Sequence, residues 1–138
     1  SGSRFRINHR LGGQMNIVGI DPGKTTGLCL YSGSDFIYGC EVEAVSEVIA
    51  SICLYNPKVV VIEDIVIGKR PSSVKAPLEI LGVVKYVCET REIECVVQSP
   101  SSLHLMLPKV KSLSKSPHIR SACAHVTYYL MKRNAAKS

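Results

Sequence analysis

The chain has 138 residues, 46% of them hydrophobic, which is enough for one compact domain with its own core. No apolar run approaches the ~18 residues that span a bilayer, so the sequence excludes a membrane-spanning protein. The net charge of +6 favours an anionic partner such as a nucleic acid, although an ordinary solvated surface also explains it. The six cysteines form no CxxC pair and lie among apolar neighbours, which indicates buried thiols in a cytoplasmic protein, not a zinc site or a disulfide framework.

Residues 1–14 have no apolar periodicity and no signal-peptide core, and they precede Met15. We interpret them as a tag or a flexible arm, with the native chain starting at Met15. The globular domain is expected to span residues 15–133, and residues 134–138 are expected to form a flexible tail.

Hydrophobic patterning predicts eight regular elements after that leader. Strands are predicted at residues 16–21, 26–31, 35–41, 58–62 and 93–97, and helices at residues 43–54, 78–88 and from 116 or 117 to about 132. A basic loop (residues 65–77) and a basic connector (residues 99–116, with one helical turn near Leu103) join them. The order β-β-β-α-β-α-β-α predicts an α/β domain in which a mixed sheet carries helices on both faces.

The glycine-rich turn at residues 19–27 follows the first strand. It lacks the spacing of a nucleotide-binding P-loop, because three residues separate Gly19 from the Gly23-Lys24 pair, whereas a P-loop has four at this point. The similar loop of actin-like and sugar-kinase ATPases needs two such domains, and the chain has room for one, so no nucleotide cofactor is expected. Asp21 then has two interpretations: a metal-binding acid at the end of a strand, or an aspartate that only begins the Pro22-Gly23 turn.

A second carboxylate, Glu63, ends the continuous β-branched run before it. If the two strands are parallel neighbours, Glu63 lies beside Asp21 at one edge of the sheet. Two adjacent carboxylates repel each other unless a proton or a cation intervenes, and Mg²⁺ is the usual hard cation for oxygen ligands. The alternative is that Glu63 is an ordinary surface acid.

Taken together, these motifs resemble the RuvC-like Holliday-junction resolvases of the RNase H-like superfamily, in particular their short phage-type members. The resemblance covers residues 15–133. It rests on residues 17–23 with Thr26-Gly27, on residues 61–64, on Gln98-Ser99-Pro100 and on residues 116–120 at the start of the last helix.

The resemblance implies an RNase H-like five-stranded fold and a homodimer that cuts four-way DNA junctions. It also implies Mg²⁺ or Mn²⁺ as cofactor, held by acids on the first strand, the fourth strand and the last helix. Asp21 and Glu63 match the first two positions and are carried over as catalytic metal ligands.

The last helix departs from the pattern, because Ser121 occupies the position of an expected catalytic aspartate. A neutral hydroxyl is a poor Mg²⁺ ligand, and two acids hold a two-metal site weakly. His118, one turn earlier, is a candidate metal ligand or proton-transfer group. His125 is expected to be a packing or solvent-facing residue. The chain is therefore a weakened nuclease, a nuclease inactivated by replacement of an aspartate, or a natural relative that binds junctions without cutting them.

Eight cations are candidate contacts for DNA phosphates. They are Lys24, Lys69, Arg70, Lys75, Lys109, Lys111, Lys115 and Arg120. Solvated loops are the plain alternative. The helix at residues 78–88 resembles the segment through which the family dimerises, although simple packing on the sheet also explains its apolar side. A more remote function is an RNase H-like hydrolase that acts on RNA or on a hybrid duplex.

Overall fold

A computed structural model describes residues 15–66 and 74–137 of the chain. Five strands are present: β1 (Asn16–Asp21), β2 (Thr26–Ser32), β3 (Asp35–Val42), β4 (Val59–Glu63) and β5 (Glu94–Gln98). The helices are α1 (Val45–Tyr55), α2 (Lys75–Thr90), α3 (Leu103–Val110) and α4 (Pro117–Lys137), with a short 3₁₀ turn at Pro100–Ser102. The predicted leader at residues 1–14 lies outside the described residues.

The strands form one mixed sheet in the order β3-β2-β1-β4-β5. Strand β1 lies at its centre, antiparallel to β2 and parallel to β4. Strands β2 and β3 form an antiparallel hairpin, and β5 extends the sheet as a parallel neighbour of β4. The predicted mixed five-stranded α/β sheet is therefore confirmed.

Helices cover both faces of this sheet, because successive residues of a strand point to opposite sides. Val18 and Ile20 of β1 pack in a core with α1 and α2. Ile17, on the other face, packs in a second core with α3 and α4. Strand β4 is buried on both sides, which explains its uninterrupted β-branched sequence.

Three predicted helix boundaries differ from the structure. Helix α2 begins at Lys75, three residues earlier than predicted, because Pro77 occupies the first turn, where backbone N–H groups need no helical partner. The connector holds a two-turn helix, α3, where one turn was expected. Helix α4 continues to Lys137, beyond the predicted end near residue 132.

Glycines let α4 approach the sheet closely. A β-carbon at Gly19 would lie 2.6 Å from the carbonyl oxygen of Ala122, and one at Gly39 would lie 2.6 Å from the side chain of Ile119. These short distances fix how deep the first half of α4 sits against β1, β2 and β3. Within residues 15–66 and 74–137, no helix is both long enough and apolar enough to cross a membrane.

Candidate active site

Asp21 and Glu63 lie side by side at the same edge of the sheet. Strands β1 and β4 are parallel, and their register pairs Ile20 with Ile62. The next residue of each strand is the carboxylate, so both strands end in an acid at one level. Each carboxylate side chain is 17% exposed, so both are partly accessible to solvent. The predicted neighbourhood of the two acids is therefore present in the structure.

This arrangement makes ionisation of Asp21 costly. Burial raises the pKa of Asp21 from its ordinary value of 3.8 to about 6, and the negative charge of Glu63 adds to the rise. The imidazoles of His118 and His125 oppose this effect and lower the pKa of Asp21 in part. When both acids are ionised they repel each other at this edge, and a bound cation would relieve that repulsion.

The first turn of α4 brings His118 to Asp21. Nδ1 of His118 lies 3.7 Å from Oδ2 of Asp21, and the imidazole is 45% exposed. The approach is possible because Gly27 has no side chain: a β-carbon there would lie 2.1 Å from the carbonyl oxygen of His118. His118 is therefore an accessible nitrogen base or ligand next to the first carboxylate.

His125 is fully buried, two turns along the same helix, and contacts the second carboxylate. Its Nε2 lies 2.9 Å from Oε1 of Glu63, and its Nδ1 lies 2.9 Å from Oε1 of Gln98. Of the two positions expected for His125, the packed one is present and the solvent-facing one is wrong, because the ring is enclosed and both of its nitrogens have protein partners. The spacing from His118 places both imidazoles on one face of α4, a pattern that sequence alone provides, but the contact with Glu63 was missed.

By its spacing Ser121 shares the helical face of His118 and His125, three residues after the first and four before the second. It lines a groove of about 460 Å³ between α3 and α4, together with Leu107, Pro108, Lys111, Pro117 and Arg120. The residue that replaces the expected aspartate thus borders this groove and lies one helical turn from each histidine.

Six of the eight candidate DNA contacts lie among the described residues. Lys24 is exposed in the turn that follows Asp21, and Lys75 is exposed at the start of α2. Three further lysines, Lys109, Lys111 and Lys115, are exposed on and after α3, whereas Arg120 is half-buried and donates to the carbonyl of Ser114. Lys69 and Arg70 lie outside the described residues, as does Ile67 of the adjacent loop. Among the described residues, none of the basic side chains named here has a carboxylate within ion-pair distance.

Asp21 and Glu63 offer carboxylate oxygens, the ligand type that hard divalent cations prefer. Two carboxylates with uncompensated charge fit one hard ion such as Mg²⁺ or Mn²⁺. Within residues 15–66 and 74–137, however, no group of three or more His, Cys, Asp or Glu side chains has the spacing of a complete metal site. Asp21 and Glu63 therefore fit a partial coordination shell, which other oxygen atoms would have to complete.

No protein-family model and no curated protein sequence matches the chain. Solved structures do match. Thermus thermophilus RuvC in complex with a Holliday junction substrate superposes with a TM-score of 0.70 at 16% identity, over 87% of this chain and 96% of that one. A second Thermus thermophilus RuvC structure gives 0.68 at 17% identity, over 88% and 97%. The fowlpox virus resolvase with Holliday junction DNA gives 0.60 at 16% identity, over 84% and 99%. The chain therefore has the fold of RuvC.

Proposed function

We propose that the chain is a metal-dependent endonuclease that hydrolyses phosphodiester bonds in branched DNA, with four-way junctions as substrate. The observation that carries the proposal is the meeting of Asp21, Glu63 and His118 at one sheet edge, in a fold shared with two resolvases solved on junction DNA. A partly buried Asp21 with a raised pKa, a neighbouring carboxylate and an accessible imidazole are typical of a site built for chemistry on phosphate esters.

Asp21 and Glu63 are the proposed ligands of Mg²⁺ or Mn²⁺. A bound cation would neutralise the two acids and polarise the scissile phosphate. Because two carboxylates fill only part of a six-coordinate shell, oxygen atoms of the DNA phosphate are well suited to complete it. This links metal binding to substrate binding and keeps the free protein weakly loaded.

His118 is the proposed proton-transfer group, with metal ligation as its other possible role. Its Nδ1 lies 3.7 Å from Oδ2 of Asp21 and its ring is 45% exposed, so a phosphate oxygen or a water molecule can reach the imidazole. The nearby negative charge orients the ring. A half-exposed imidazole in this position can hold a proton for the leaving oxygen or accept one from the attacking water.

The basic residues near this edge are proposed to contact DNA phosphates. The group is Lys24, Lys75, Lys109, Lys111, Lys115 and Arg120, with Lys69 and Arg70 added from sequence. Cations without acidic partners keep their full charge for the nucleic acid, and such contacts give salt-dependent affinity that ignores base sequence. Recognition would therefore depend on the shape of the branch.

A homodimer is proposed through the exposed side of α2. Leu78 and Tyr86 lie two turns apart on this helix and are 41% and 68% exposed. Light scattering during size-exclusion chromatography should give twice the mass of one chain. Tyr86→Glu should reduce it to one chain, since a charge at an apolar interface is costly; a monomeric wild type would refute the dimer.

A junction-binding module without nuclease activity is the second candidate. Ser121 stands where a third acid is expected, and among the described residues no complete three-ligand set is present. In that case the basic residues named above still bind DNA, and the metal site remains too weak to support catalysis. One experiment separates these candidate functions. The protein is incubated with four-way junction, linear duplex and RNA–DNA hybrid, in Mg²⁺ and separately in Mn²⁺.

Junction cutting that Asp21→Asn abolishes is the expected result. Junction binding without cutting in either metal would establish the binding module instead. Cleavage confined to ribose-containing strands would identify a hydrolase of RNA or hybrid duplexes. Equal affinity for junction and linear duplex would refute the branched-DNA proposal and leave the fold alone.

A further inference from the structure

The contact between His125 and Glu63 has no role in the chemistry described above. The imidazole is fully enclosed, and its neighbours along α4, Ala122, Ala124 and Val126, have no exposed surface. Both ring nitrogens nevertheless have partners at 2.9 Å, Glu63 on one side and Gln98 on the other. A polar ring buried among apolar residues costs stability unless both nitrogens are hydrogen-bonded, and here both are.

An ionised carboxylate can only accept hydrogen bonds, so Nε2 of His125 is the donor to Oε1 of a charged Glu63. If Gln98 presents its amide oxygen, both imidazole nitrogens donate. If Gln98 presents its amide nitrogen, that group donates to Nδ1 and the neutral ring still donates from Nε2. In both arrangements Oε1 of Glu63 accepts from His125, and the carboxylate has its second oxygen left for a ligand.

We propose that His125 is a positioning residue that holds the Glu63 carboxylate in its ligand-binding orientation, and that Gln98 in turn orients His125. This inference rests on the proposed function, in which Glu63 holds a divalent cation. Strand β4 fixes only the backbone of Glu63, whereas its side chain has three rotatable bonds. A hydrogen bond from a fully enclosed ring removes much of that freedom before the cation arrives, which lowers the entropic cost of binding.

The test measures Mn²⁺ affinity without DNA, by electron paramagnetic resonance of the free ion. Wild type is compared with His125→Ala, with His125→Gln, which keeps an N–H donor, and with Gln98→Leu. His104→Ala is the matched control, since His104 is exposed on α3. We expect His125→Ala to weaken binding about 10- to 100-fold, Gln98→Leu to weaken it less, and His125→Gln and His104→Ala to stay near wild type.

A folded His125→Ala variant with wild-type Mn²⁺ affinity would overturn the proposal. A merely structural role would lower the stability of the variant and leave its metal affinity unchanged, so urea denaturation is measured beside binding. If His125→Ala does not fold, Gln98→Leu is the deciding variant. Weaker Mn²⁺ binding by Gln98→Leu supports the proposal that Gln98 orients His125 and His125 orients Glu63, and unchanged Mn²⁺ binding overturns it.

A metal-free measurement separates this inference from the proposed function. In wild-type protein the buried Nε2 proton of His125 should give a slowly exchanging NMR resonance, which shifts or disappears in Glu63→Ala. If wild type binds no Mn²⁺ and this response is present, the metal site fails and the positioning contact stands. A resonance that is unchanged in Glu63→Ala would show that the contact is absent, whether or not the protein binds Mn²⁺.

Discussion

Gly27 on β2 lies in close contact with the backbone of His118 on α4. A β-carbon at Gly27 would lie 2.1 Å from the carbonyl oxygen of His118 and 2.3 Å from its carbonyl carbon. The absence of one side chain therefore sets the distance between the first turn of α4 and the acids at the sheet edge.

Gly27→Ala should push the first turn of α4 away from the sheet and His118 away from Asp21. Both clashing atoms belong to the backbone, so no side-chain rotation can relieve the contact. We expect a loss of about 3 kcal/mol, at the upper end of the range for overpacked sites, together with a large loss of cleavage. Urea denaturation measures the first effect and a junction-cleavage assay the second.

Gly82→Ala is the matched control for that substitution. An added β-carbon at Gly82 meets no atom within 4 Å, and the residue lies inside α2. Alanine is the better helix former by up to about 1 kcal/mol, so this variant should be as stable as wild type or more stable. Equal stability of Gly27→Ala and wild type would contradict the close approach of α4.

The stability of the metal-free protein should fall as the pH rises from about 4 to about 6. Asp21 has a pKa of about 6 in the folded chain, because of burial and the charge of Glu63, against an ordinary 3.8. The folded state therefore binds the proton more tightly than the unfolded state, and its advantage is complete below pH 4 and lost above pH 6. At about 1.4 kcal/mol per pKa unit, the loss is up to roughly 3 kcal/mol.

Asp21→Asn should remove this dependence. In EDTA the variant should match wild type near pH 4 and exceed it by up to roughly 3 kcal/mol at pH 8, as measured by urea denaturation. Asp35→Asn makes the same change at the exposed first residue of β3 and should keep the wild-type pH profile. A wild-type protein that grows more stable between pH 4 and 6, relative to Asp21→Asn, would contradict the raised pKa.

The acids of the site could be predicted from sequence, whereas the histidine behind them could not. Asp21 and Glu63 each end a short apolar run, and such runs form adjacent parallel strands in this class of fold, so their meeting follows from pattern. The helical spacing of His118 and His125 predicts a shared face of α4. It does not predict that Gly27 and Gly39 allow the helix so close to the sheet that His125, on this face, is fully enclosed.

Helix α3 was underestimated for a related reason. Its sequence, residues 103–110, contains Pro108, and another proline stands just before it at Pro100. Proline lowers local helix propensity, so the pattern predicted only one turn. Packing compensates, because Met106 and Val110 are buried against α4, and tertiary contacts of this kind cannot be read from local sequence.

Ser121→Asp should strengthen the metal site. The new carboxylate would lie on α4, one turn from His118, and would add one negative oxygen ligand near Asp21 and Glu63. We expect Mn²⁺ to bind about tenfold more tightly, and junction cleavage to increase, because ligand charge raises the affinity for hard cations. Calorimetric titration and the junction assay measure the two effects.

Ser121→Asn is the control for size without charge and should resemble wild type in both assays. The competing outcome has a visible cause, because Lys111 and Arg120 line the same groove as Ser121 and can pair with the new acid. If Ser121→Asp leaves Mn²⁺ affinity and cleavage unchanged, the position does not face the metal.

Ser116→Ala should loosen the start of α4 and, with it, His118. The Ser116 hydroxyl accepts a hydrogen bond from the backbone N–H of Ile119 at 3.1 Å and donates one to the carboxylate of Glu41 on β3. One side chain therefore caps the helix and ties it to the sheet, two residues before the candidate proton-transfer group. Loss of such a cap costs about 1 kcal/mol, so we expect a fall of that size in urea denaturation, together with reduced cleavage.

Ser116→Thr keeps the hydroxyl and should restore both properties, whereas Glu41→Gln removes only the charge of the tether and should have the smaller effect. Ser46→Ala, at an exposed position of α1, removes a hydroxyl away from the site and should leave cleavage unchanged. If Ser116→Ala lowers stability by about 1 kcal/mol and cleavage remains at the wild-type rate, the capping bond stabilises α4 without controlling the position of His118.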